Sequence, residues 1–361
     1  MYEQIARNRR ASWLLAGTVV AILAGLGFAI GYATMGGSSG GIGLLGVFGI
    51  VAIVWSIVGY YSGDKMILAV SGARRVTHAE EPQLYNVVEE MTIAAGLPKV
   101  PAVYVLDEAA PNALATGRDP QHASVAVTRG LLDRLDREEL QGVIAHEMSH
   151  IRNYDIRFET LVGILVGMIV LIADFFLRWS FWGGMGRRRG GGGSGGDQGQ
   201  AIFMIVALVL AILAPLAAYA VQFAVSRRRE YLADASAVEL TRNPLGLARA
   251  LNNIATDPTK LRHANRATAH LYIANPLKKA KEVTGVLDTH PPIAQRIKVL
   301  LDMAHVGPEA LAQRPGGPDG LPVHALATTP AGTPSDPLAP ARVVPPQEGT
   351  HGPPPPPVLP G

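Results

Sequence analysis

Two apolar runs near the amino terminus constrain this chain most. Trp13 to Thr34 and Ile42 to Tyr61 are each long enough to cross a bilayer, and the uncharged Gly36 to Gly41 segment lies between them. Runs joined so tightly predict a helical hairpin in a membrane. Arg7, Arg9 and Arg10 ahead of an apolar run can imitate a signal peptide. The second run follows at once, however, with no persuasive small-residue cleavage site, so a retained anchor is expected. Lys65, Arg74 and Arg75 follow the pair, and its short loop carries no basic residue. The positive-inside rule then predicts a cytoplasmic amino terminus and a cytoplasmic body after Tyr61, on a multi-pass protein of the cell (inner) membrane. Composition agrees: 48% of residues are hydrophobic and 17% charged, against about a quarter charged in soluble domains. A net charge of +3 gives no footprint for nucleic acid, and without cysteines any metal must sit on His, Asp or Glu.

Beyond the hairpin the pattern becomes that of a water-exposed domain. Helical periodicity covers Glu81 to Ala95, and Gly96 and Pro98 end it. Val100 to Leu106, Asn112 to Thr116 and Ala123 to Thr128 read as strands, with turn residues in Gly117 to Pro120. A short helix is predicted over Arg129 to Leu135. A long one is predicted over Asp136 to Asn153, with Asp136, Glu138 and Glu139 favourably placed at its positive end. Two further apolar runs follow. Phe158 to Leu177 contains Glu159 and Asp174, read as interfacial acids, and Ala201 to Val225 contains Pro215. If both span, the arginines of the Gly-rich loop between them lie outside, against the positive-inside rule. Partial insertion is the alternative, and either course returns the chain to the same side. Charged amphipathic helices are expected over Ser226 to Leu240, Leu245 to Ile254 and Pro291 to Met303. The Pro-rich end cannot bury a core and is expected to be disordered.

The chemistry centres on His146-Glu147-Met148-Ser149-His150. Residues four apart share a helix face, so both imidazoles can reach one metal ion. Glu147 stands beside them as a general base, able to take a proton from an activated water and return it to a leaving amine. A catalytic zinc usually has three protein ligands. The metzincin form would need glycine at 153 and histidine at 156, where this chain has Asn153 and Ile156. Glu230, in Ser226-Arg-Arg-Arg-Glu230-Tyr-Leu-Ala-Asp234, is the best third ligand. Asp234, one turn on, could orient a ligating imidazole.

Three separated stretches carry a family resemblance: Ala145 to Asp155, Ser226 to Asp234, and Thr289-His290-Pro-Pro-Ile-Ala-Gln-Arg296-Ile297. With Pro111 to Gly117, they resemble the HtpX family of membrane proteases, related to the CAAX prenyl proteases, over about Tyr2 to Ala304. The resemblance implies a gluzincin-type domain, mostly α with a small β-sheet, on a multi-pass anchor of four hydrophobic segments. It implies one zinc ion per chain on His146, His150 and Glu230, base catalysis by Glu147, and a role in membrane-protein quality control. Expected partners are membrane-protein or unfolded polypeptide substrates and the lipid bilayer.

The expected organisation is an anchor over 1–62, catalytic parts over 63–157 and 226–305, hydrophobic segments over 158–225, and a tail over 306–361. His290 and Arg296 are candidates to stabilise an oxyanion; the alternative is a helix cap and a surface arginine. Asn112, Ala113, Leu114 and Ala115 are candidates to pair with substrate backbone as an edge strand, or form an ordinary strand. Asp155 either supports the metal site or ends the helix. The arginine runs at 187–189 and 227–229 read as membrane-surface anchors. A catalytically silent, zinc-stabilised scaffold and an intramembrane site-2-type protease are the rivals. Charged residues around the motif, Arg134 to Glu139 and Arg152, argue against the second.

Overall fold

The computed structural model describes residues 2–35, 37–165, 167, 227–262, 268–274 and 291–312. Most of the third hydrophobic segment, Asp174, the Gly/Arg-rich loop, the fourth segment, His290 and the tail beyond residue 312 lie outside the described residues. The first residues of the expected tail are ordered instead: Pro308–Leu311 form a short helical turn, and Ala310 is buried with its carbonyl accepting from Arg249 Nε.

The first two helices are α1 (Tyr2–Thr34) and α2 (Ser38–Val70). They form an antiparallel hairpin, in which Gly37 at φ 85° makes a turn open to few other residues. Trp13 stacks on Tyr60 across it, ring centroids 6.1 Å apart. Windows of 23 and 33 residues in the two helices are long and apolar enough to cross a membrane. Ile42, Ile50 and Val51 of α2 are 60–65% exposed, a surface suited to lipid.

Both helices exceed the expected runs. With nothing to break the helix between Tyr61 and Val70, α2 extends roughly 50 Å, well past a hydrocarbon core of about 30 Å. Its far end enters the catalytic body, where Ile67 and Leu68 pack with Leu106, Leu114, Ala126 and Tyr272. The boundary expected at residue 62 is therefore crossed by one continuous helix. Gly63 lets this helix approach its neighbour: a Cβ there would lie 2.9 Å from Cγ2 of Thr160.

The sheet comprises β1 (Ala73–Arg75), β2 (Ala102–Leu106), β3 (Ala113–Gly117) and β4 (Ala123–Thr128), in the order β1-β2-β4-β3. β2 and β4 are parallel and the other two pairs antiparallel. β1, at three residues, is too short to show a period in sequence. The sheet packs with α3 (Pro82–Ala94), α4 (Arg129–Arg134) and α5 (Arg137–Arg152) around one core, in which Leu84, Val125, Leu140 and Ile144 are fully buried. Helical residues 155–165 form α6. Then come α7 (Arg227–Thr241) and α8 (Pro244–Thr256), which pack on α5, and α9 (Ile293–Ala304), which packs on α8. The fold is thus mostly helical with a small mixed sheet.

Candidate metal centre

α5 starts on a capping box. The Asp136 side chain accepts from Glu139 N, and Glu139 Oε2 accepts from Asp136 N. Fixed at its start, the helix is buried from Gly142 to Ile151 and carries His146, Glu147 and His150 into the interior. It ends at Asn153, and Tyr154 takes a left-handed φ of 60°. That reversal starts α6 at once and turns Asp155 back toward His150.

The two imidazoles direct Nε2 toward a common point, 3.2 Å from each other. Glu230, from α7, approaches both: Oε2 is 3.8 Å from His146 Nε2 and Oε1 is 3.7 Å from His150 Nε2. All three residues are buried, and one ligand atom from each lies within 4.8 Å of the others. A tetrahedral ion with bonds of about 2.1 Å separates its ligand atoms by roughly 3.4 Å, so the spacing suits one ion.

The outer nitrogens explain why. Asp234 Oδ1 lies 3.0 Å from His146 Nδ1, and Asp155 Oδ2 lies 3.1 Å from His150 Nδ1. Each carboxylate accepts the Nδ1 proton, so that Nε2 is the nitrogen each neutral imidazole offers to a metal. Two such nitrogens beside a carboxylate form a donor set that a cation satisfies. The residues present therefore fit a metal ion.

Arg296 overturns one expectation. It is fully buried. Its Nε donates to Asp234 Oδ2 at 2.8 Å, Nη2 to Asp234 Oδ1 at 2.7 Å, and Nη1 to Ile273 O at 3.0 Å. Nη1 also lies 3.1 Å from Glu230 Oε2. With every nitrogen committed, the guanidinium is not placed to meet a developing oxyanion. It holds the carboxylates of α7 instead.

The edge strand needs a similar correction. β3 is at the sheet edge, but Tyr272 bridges to Leu114, and Ile273 N donates to Ala113 O. Asn112 Nδ2 donates to Ala274 O. The chain's own 272–274 segment thus occupies the edge at Asn112, Ala113 and Leu114. Ala115, on the same side by the antiparallel alternation, is itself buried, 3% exposed.

Two charged residues lie deeper than expected. Glu159, read as interfacial, is buried. Arg227 and Arg228 are exposed, but Arg229 is buried, with its guanidinium over the Phe158 ring. One contributor escaped sequence reasoning entirely: Asn8 of α1, whose Nδ2 donates to Asp155 Oδ1 at 2.5 Å. Among Arg7, Arg9 and Arg10 it looked like part of a topology signal.

Electrostatics follow burial. Loss of water pushes the Glu147 carboxyl up to about 8, with the Glu230 carboxylate adding and His150 opposing. Burial acts upward on Asp234 too, but the Arg296 charge and hydrogen bonds from His146 and Arg296 hold it well below the usual carboxylate range. One carboxyl is poised to exchange protons near neutrality while its neighbour stays ionised.

An HExxH helix, a carboxylate from a second helix and a buried glutamate near neutrality define a metallopeptidase-type site. Residues 78–304 match the family model described as Peptidase family M48. A protein named Protease HtpX homolog, from Listeria monocytogenes serotype 4b (strain CLIP80459), is 45% identical over 308 residues, covering 84% of this chain and all of that one. Another of the same name, from Thermoanaerobacter pseudethanolicus, is 45% identical over 302 residues, covering 83% of this chain and 97% of that one. The chain belongs to peptidase family M48 and, within it, to the HtpX proteases. A crystal structure of S. mikatae Ste24p aligns with a TM-score of 0.42 at 17% identity, covering 83% of this chain and 66% of that one.

Proposed function

We propose that this metalloprotease is a zinc endopeptidase of the gluzincin type, held in the cell membrane by several hydrophobic segments, with its catalytic body in the cytoplasm. The observation that carries this reading is the convergence of His146, His150 and Glu230, with Glu147 buried beside them. A zinc ion held by these three residues would supply Lewis acidity to a water molecule and to the scissile carbonyl. Glu147 receives the proton of the attacking water and passes it to the leaving amine. Asp234 and Asp155 keep each imidazole in the ligating tautomer.

Membrane-protein quality control is the role implied by the HtpX resemblance, with exposed or unfolded polypeptide segments as substrates. Basic residues on both flanks of the hairpin support the cytoplasmic orientation. The contact of Asn8, at the start of α1, with Asp155 supports placing that end of α1 and the site on the same side. A silent zinc-stabilised scaffold would have no use for a buried, proton-exchanging Glu147.

The test is metal analysis of the detergent-purified chain, with digestion of an unfolded protein such as casein in the presence and absence of chelator. Near-stoichiometric zinc and chelator-sensitive cleavage are expected. A chain that binds no metal, or cleaves equally in chelator, would overturn the reading.

A further inference from the structure

An anchor needs apolar length and flanking charge; it has no need of a buried amide inside the catalytic body. Asn8 of α1 nevertheless sits there, 3% exposed. Its Nδ2 donates to Asp155 Oδ1 at 2.5 Å and to Asn153 O at 3.2 Å. Its Oδ1 accepts from Arg229 Nη1 at 3.4 Å. Asp155 gives its other oxygen to His150 Nδ1, and Arg229 directly precedes Glu230. One side chain therefore touches the support of a histidine on α5 and the neighbour of the glutamate on α7. It reaches Asp155 from 147 positions away in the chain.

We propose that Asn8 is a positioning residue of the metal centre, so that the first turns of the amino-terminal helix complete the site as well as anchor it. The inference rests on the metal-site reading above. Its physical basis is orientation. Asp155 can direct one oxygen at His150 only while its carboxylate is kept from rotating. The Asn8 donor and the Arg229 guanidinium, 3.9 Å from Oδ1, hold the second oxygen. Losing an outer partner of this kind typically weakens a metal site by about 10–100-fold. An amide suits the place because it donates to one carboxylate while accepting from an arginine. A carboxylate of the same shape would face Asp155 with like charge and no proton to give.

The test uses the full chain in detergent and measures zinc affinity by competition with a chromogenic chelator, alongside thermal unfolding. Asn8→Ala is expected to weaken zinc binding about tenfold or more. Asn8→Asp keeps the shape and removes the donor, so it should weaken binding at least as much. Val19→Ala, a buried change on the same helix away from Asp155, should lower the unfolding temperature and leave affinity unchanged. Wild-type affinity in Asn8→Asp, or an equal loss in Val19→Ala, would overturn the proposal, because packing of the helix would then explain the effect. His150→Ala and Glu230→Ala separate the two readings: if neither reduces zinc binding, the metal-site assignment itself has failed.

Discussion

The guanidinium of Arg296 grips the carboxylate of Asp234 through two hydrogen bonds, of 2.7 and 2.8 Å, 62 positions apart in the chain and wholly out of water. Asp234 in turn lies 3.0 Å from Nδ1 of His146. The arginine expected to meet the substrate is thus a strut behind a metal ligand. Breaking a buried ion pair by removing one partner typically costs about 3–5 kcal/mol, because the remaining charge is left uncompensated. Arg296→Leu should therefore lower stability by about that amount and weaken metal binding, as read by denaturant unfolding and chelator competition. An oxyanion role would instead lower kcat with stability and metal content intact.

Glu147→Gln removes a proton acceptor and leaves the three ligating side chains in place. Metal content should be unchanged, and proteolysis should fall by about 10²–10⁴-fold. Zinc analysis and peptide cleavage on one preparation check both halves, and loss of zinc in this variant would undermine the assignment of Glu147 as base.

Glu230 and Glu239 lie on the same helix, but only Glu230 is brought to the imidazoles. Glu230→Ala should lose most of its bound zinc, whereas Glu239→Ala should retain the wild-type amount. Equal metal content in the two purified variants would place the third ligand elsewhere.

Protons and metal compete for His150. Burial alone would push its pKa down, but the hydrogen bond to Asp155 and the carboxylates of Glu159 and Glu230 outweigh this and raise it to about 10 before metal binds. A pKa above the working pH means that the metal-free site carries a proton that binding must expel. Affinity should therefore fall as pH falls, by about tenfold per pH unit for each proton displaced. Calorimetric titration with zinc in two buffers of different ionisation enthalpy counts the protons; zero release near pH 7 would contradict the raised value.

Gly63 faces α6 at a point where Thr160 Oγ1 accepts from Gly117 N and meets Thr116 Oγ1 at 2.8 Å. A side chain on Gly63 must displace Thr160 and with it the end of β3. Gly63→Leu should destabilise the chain by about 1–3 kcal/mol, measured by thermal unfolding, whereas Gly43→Leu, with open space around it, should be nearly neutral.

Much of the site was legible because its strongest signals are local. The spacing of His146 and His150 needs only the helix repeat. Asp136 and Glu139 needed only three residues to mark the start of that helix. The strands of the sheet appeared where β-branched and small apolar residues alternate, and only their ends moved. What escaped was either too short or too ambiguous. β1 has no room for a period, and the helical continuation past Tyr61 is masked by Ser62-Gly63-Asp64-Lys65 before Met66 to Val70. Arg229 and Asn8 sit among other arginines, where burial has no signature.

The sequence alone determined the apolar helical hairpin, the helix that bears the paired imidazoles and the short list of acids able to join them. Each follows from composition or from contacts within a few residues, which chain geometry fixes before anything packs. Only the tertiary structure decided what Arg296 holds, that Tyr272 to Ala274 cover part of the β3 edge, and that an amide from the anchor stands behind Asp155. Those contacts join residues 62 to 162 positions apart, and a linear pattern carries no distance between side chains that meet only when helices and sheet close on one core.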